Sequence, residues 1–95
     1  MAEPTRRLVK RINADFEPGS AEKVTRRLRN LPAEAFGGQD PERVQAALVL
    51  ASSGDWDRFV NRLHLLGQDW RDVLVSGELA HADWPAKLDI ELSDS

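Results

Sequence analysis

The chain has 95 residues, 41% of them hydrophobic and 31% charged, with a net charge of −3 and no cysteine. That length fits one domain, and the apolar content is well above the level at which chains stay disordered. The composition excludes disulfides and thiolate metal sites, and no apolar run approaches the ~20 residues of a membrane span. The opening "MAEPTRRLVK" lacks the apolar core of a secretory signal, so a cytoplasmic location is expected. Ten arginines against three lysines, with much alanine, leucine, valine and aspartate, resemble the usage of a GC-rich bacterial genome. Charge is uneven along the chain. Residues 1–30 carry eight basic and four acidic side chains, a net of +4, and the remainder a net of −7. Such a dipolar chain can meet an anionic partner at one end or pair with itself, although uneven solvation is the commoner meaning.

Apolar residues recur at three and four between glycine and proline marks, the signature of amphipathic helices. Only "LDIEL" (88–92) alternates like a strand, and five residues alone cannot build a sheet. The expected fold is therefore all-α, a compact single-domain bundle over residues 1–95. Five or six short helices are placed at about 5–15, 20–31, 41–52, 55–66, 69–76 and 83–92, with residues 1–4 and 93–95 frayed.

The first helix gathers Leu8, Val9, Ile12 and Phe16 on one face and sets Arg6, Arg7, Lys10 and Arg11 on the opposite arc. The second is expected to start at Ser20, with Glu22 in its first turn. Val24, Leu28 and Leu31 form its stripe, Arg26, Arg27 and Arg29 lie away from it, and Pro32 closes it. In the third, Asp40 caps and Pro41 takes the first helical position. The segment "VQAALVLA" is apolar almost all round, so this helix belongs in the middle, with Val44, Ala47, Leu48 and Ala51 in the core and Leu50 or Val49 covered by a neighbour.

All three tryptophans follow an aspartate, at Asp55-Trp56, Asp69-Trp70 and Asp83-Trp84, spaced 14 and 14 apart. One continuous coiled-coil helix is ruled out by Gly54, Gly67, Gly77 and Pro85 inside the window. Each aspartate is instead expected to cap a new helix, with the tryptophan behind it as a core anchor. Trp84 has the thinnest apolar stripe and is the candidate exception. Fourteen residues are too few for a solenoid repeat.

No catalytic constellation emerges. His64 falls opposite the Trp56 stripe and His81 lies in a link, with no metal-ligand pattern around either. The segment "DWD" lacks the ligand spacing of a calcium loop. "FGGQDP" (36–41) is glycine-rich before a helix, but Asp40 already serves the N–H groups there and would repel phosphate. Gly37-Gly38 is better read as a turn that tucks Phe36 onto the core. No cofactor, metal or catalytic residue is assigned, and an enzyme is not expected.

Two surfaces remain as candidates. A basic face of Arg6, Arg7, Lys10, Arg11, Arg26, Arg27 and Arg29 would serve an anionic partner, making the chain a weak nucleic-acid binder. Charge reversal at Arg7 and Arg11 is then expected to leave folding intact. The acidic chain and the absence of interleaved aromatics weigh against that reading. A helix-turn-helix over 20–52 would need a base-reading helix where the apolar "PERVQAALVLA" stands. The favoured reading is a small non-enzymatic protein-interaction or regulatory module, with no membrane partner. Leu65, Val75 and Ile90 point away from their stripes and, with Trp84, would form an apolar patch for another protein or a second copy. The competing expectation is that helix packing buries them.

Overall fold

A computed structural model of the protein describes residues 3–92. Among these the architecture is all-helical: α1 (Arg6–Asp15), α2 (Pro18–Arg29), a single 3-10 turn (Ala33–Phe36), α3 (Pro41–Ser52), α4 (Trp56–Gln68), α5 (Trp70–Ser76) and α6 (Trp84–Glu91). They pack into a body of 30 × 27 × 22 Å. Of the ends expected to fray, residues 1, 2 and 93–95 lie outside the described residues, while Pro4 is buried.

The third helix is the hub. It touches α1, α4, α5 and α6, and Val44, Ala46, Ala47, Leu48 and Val49 are completely shielded from solvent. A helix apolar on nearly every side can be satisfied only at the centre. Val49 is covered by a neighbour, as expected of it or Leu50, whereas Ala51, expected in the core, is half-buried like Leu50. Gln45 is also buried and donates to the carbonyl of Leu28 at 3.4 Å, a polar link between α3 and α2. Around this hub α1 packs on α2, and α4 on α5 and α2. Leu8 and Ile12 of α1, Val24 and Leu28 of α2, Phe59 of α4, Val73 of α5 and Leu88 of α6 close the core.

Several boundaries differ from expectation for identifiable reasons. The second helix starts at Pro18, not at Ser20, with Glu17 as an N-cap that makes no side-chain cap bond. Proline is pre-organised for the first helical position, so "EPGS" opens the helix that it was expected to precede. Glu22 consequently lies beyond the first turn. This helix ends at Arg29, and Pro32 introduces the 3-10 turn. Gly67 lies within α4, which runs to Gln68, and Pro85 sits inside the first turn of α6. A glycine in a helix costs only ~1 kcal/mol, and packing of α4 on its neighbours outweighs that.

Gly37 and Gly77, like Gly54 beside the Asp15 carbonyl, leave no room for a Cβ. Gly37 takes a left-handed φ of 56° after the 3-10 turn, and a Cβ there would lie 2.3 Å from Trp70 Nε1. The turn thus seats Phe36 in the core, as expected, and lets the Trp70 indole lie against the backbone. Gly77 ends α5 where the chain meets α3, and a Cβ there would stand 2.5 Å from the Ala47 Cα.

Candidate interaction surface

The helix-start device appears as anticipated in two of its three copies. Asp55 accepts from the N–H groups of Asp57 at 2.9 Å and Arg58 at 3.3 Å, and Asp69 accepts from Arg71 N–H at 3.0 Å. Asp83 occupies the N-cap of α6 but makes no side-chain cap bond. In the other two helices the second helical residue donates; in α6 that residue is Pro85, which has no N–H to give. All three tryptophans are half-buried against the core edge. They cover the edge of the core, where Trp56 and Trp70 were expected as core anchors and Trp84 as the candidate exception.

The seven cations of the expected basic face do not form a free face. Arg7 binds Glu42 of α3 in a fork, with Nη2 to Oε1 at 2.6 Å and Nε to Oε2 at 2.8 Å, and reaches Asp89 of α6 at 2.7 Å. Arg11 pairs with Asp15 at 2.9 Å and with Glu91 of α6 at 3.3 Å. Arg26 pairs with Glu22 and Arg29 with Glu3. Arg6, Lys10 and Arg27 are exposed. Arg7 and Arg11 therefore face neighbouring helices, and a reversal to glutamate at 7 would confront two carboxylates. Such a change is no longer expected to leave folding intact.

These pairs shift the groups involved. The hydrogen bond from Arg7, followed by that from Thr5, holds the Glu42 carboxyl below its ordinary range against the opposing effect of burial. Glu42 and Asp89 raise Arg7 in turn. For Arg11 the strongest single influence is burial, which lowers it, but Asp15 and Glu91 together outweigh that and the guanidinium ends raised.

The candidate apolar patch divides. Leu65 and Trp84 are half-buried against the core. Val75 and Ile90 are 63% and 73% exposed, the large hydrophobics left open among the described residues. They belong to one band of three adjoining depressions. The first, about 340 Å³, is lined by Trp70, Arg71, Arg43, Leu74, Val75 and Ala80 among others. Val75 and Ala80 are shared with the second, about 330 Å³, which His81, Glu78 and Lys87 complete. Glu78 and Lys87 are shared with the third, about 380 Å³, where Leu50, Leu79 and Ile90 meet Arg11 and Glu91. Lys87 Nζ donates to the Glu78 carbonyl at 3.2 Å, forming the divide between the last two.

The arginine end of this band escaped the sequence reading. Arg43 donates through Nε to the Leu79 carbonyl at 2.8 Å and through Nη1 to Gln39 at 2.6 Å. Its guanidinium lies 5.1 Å from the Trp84 ring centroid, and that of Arg71 lies 5.4 Å from the Trp70 centroid. Gln39 precedes the Asp40 cap, so no helical spacing pairs it with Arg43; the rest of the cluster depends on how α6 and the 77–83 link fold back. His64 and His81 are exposed, and no group of three or more potential metal-ligating side chains forms among the described residues.

Comparison with models of known protein families, with curated proteins and with solved structures finds no match to this chain.

Proposed function

We propose that the chain is a small, non-enzymatic protein-interaction or regulatory module of the cytoplasm that receives a partner protein along the band from Trp70 to Ile90. The observation carrying this reading is the exposure of Val75 and Ile90, at 63% and 73%, where the other large aliphatic side chains among the described residues are at least half-buried. Covering the two would contribute roughly 2–4 kcal/mol. That alone reaches about millimolar affinity only at the top of the range, before any cost of association, so the polar groups of the band must add to it.

The nucleic-acid alternative needs Arg7, Arg11, Arg26 and Arg29 to exchange carboxylate partners already in place for phosphates. The exposed Arg6 and Arg27 are its proper probes. The test is affinity capture from the native host at low and moderate salt, with wild type, V75D/I90D and R6E/R27E. A partner protein retained at moderate salt and lost with V75D/I90D supports the proposal. Capture indifferent to V75D/I90D sinks it, and salt-sensitive nucleic acid lost with R6E/R27E establishes the alternative.

A further inference from the structure

The band has unlike ends. Its third depression balances Arg11 and Lys87 against Glu78 and Glu91. The first holds Arg43 and Arg71 with no carboxylate among its lining residues. Four arginines of α1 and α2 sit in intramolecular ion pairs, whereas no ion pair of Arg43 or Arg71 exists among the described residues. Both guanidiniums nevertheless lie over tryptophan rings. The exposed Arg71 guanidinium lies over the Trp70 ring, and Arg43 is fixed by Trp84, Gln39 and the Leu79 carbonyl. A guanidinium ordered beforehand loses less side-chain freedom when it binds, and its planar fork matches a carboxylate.

From this geometry we infer that the Trp70 end of the band binds an acidic side chain of the partner, flanked by an apolar residue that packs on Val75. The inference rests on the proposed docking role of the band and names the chemistry of the occupant. The occupant carries its carboxylate on a side chain rather than at a chain terminus, because the band is open. It continues past Val75 and Ala80 toward Ile90 through shared lining residues. A site for a chain terminus would instead end in exposed backbone N–H groups, and the N–H of Arg71 is already bonded to Asp69.

The three tryptophans supply the readout. Trp56 lies elsewhere, beside Phe59 and Lys23, so its indole N–H signal is an internal control for those of Trp70 and Trp84. The full chain is titrated, with nitrogen-15 NMR detection, with the end-blocked tripeptide acetyl-Leu-Asp-Leu-amide. Parallel titrations use acetyl-Leu-Asn-Leu-amide and inorganic phosphate. The expected result is saturable movement of the Trp70 and Trp84 signals with the Asp peptide, with Trp56 still. Affinity should fall roughly tenfold with the Asn peptide, and by a similar factor in R71Q, consistent with loss of charge-assisted hydrogen bonds. Arg71 is exposed, so that variant keeps the fold even if R43Q does not.

Equal binding of the Asn peptide, movement of all three indoles together, or no movement would overturn the inference. So would phosphate binding as tightly as the Asp peptide, which would mark a general anion site. The docking proposal fails separately, only if capture of the partner ignores V75D/I90D.

Discussion

Trp56 and Phe59 are three residues apart on one helix, with ring centroids 5.7 Å apart, yet they stand at different depths. Phe59 is fully buried and meets Phe16 edge-on at 6.2 Å, whereas Trp56 is half-buried, with Lys23 Nζ 5.7 Å from its centroid. A truncated core ring loses transfer energy and leaves a cavity, but a ring on the rim leaves a dent that water fills. Phe59→Ala is therefore expected to cost about 3–5 kcal/mol and Trp56→Ala about 2 kcal/mol, read from urea unfolding. Equal costs would place the indole in the core after all. Helical spacing showed which way both rings point; depth depends on what the next helix brings, and no spacing within α4 encodes that. The same limit applies to Val75 and Ile90, whose outward direction was legible while the competing expectation of burial could be decided only by packing.

At the scale of elements, the aspartate caps give the sharpest contrast. Asp55→Ala and Asp69→Ala should each cost about 1 kcal/mol, and Asp83→Ala less than about 0.5 kcal/mol, because Pro85 removes the N–H that the cap would bind. Thermal unfolding of the three variants side by side checks this, and a full cost at position 83 would contradict the account. The proline was visible in the sequence, so the failure of the third cap was legible in principle. The start of α2 was less so, since Pro18-Gly19 serves equally as a breaker and as a first turn. Gly77 illustrates an element boundary set by a neighbour. Its φ of −89° suits any residue, but a methyl group would collide with the backbone of Ala47. Gly77→Ala should accordingly destabilise by about 2–3 kcal/mol through displacement of α5 from α3. A neutral effect in urea unfolding would mean that the two helices can part without loss.

Across the whole molecule, the helices are joined by charge as well as by the core. Arg7 links α1 to α3 through Glu42 and to α6 through Asp89. The Glu42 carboxyl is depressed below its ordinary value near 4.5 by the Arg7 hydrogen bond. Its contribution to stability is therefore complete above that value and is lost as pH falls through the lower folded-state value. The difference in stability between wild type and E42Q should be largest at neutral pH and shrink on acidification below about 4.5. A difference that stays constant down to pH 3 would show that the pair adds nothing that titrates. The all-helical class and the central place of α3 were legible because an apolar run with no polar face admits few positions. The i,i+4 pairs Arg11–Asp15 and Arg26–Glu22 were legible from helical spacing, but the links to α6 were not, since Asp89 and Glu91 lie 82 and 80 residues from Arg7 and Arg11.

Each of those arginines has one partner in the first half of the chain, Glu42 or Asp15, and a second on α6. If α6 swings out, Leu88 and Leu92 lose their shelter, but neither guanidinium is stranded without a carboxylate. Undocking of α6 thus carries no penalty for an uncompensated charge, unlike removal of α3, which would open the entire core. The hub and the last helix should consequently differ in cooperativity: amide protons of α6 exchange with solvent through a local opening, and those of α3 only when the whole domain unfolds.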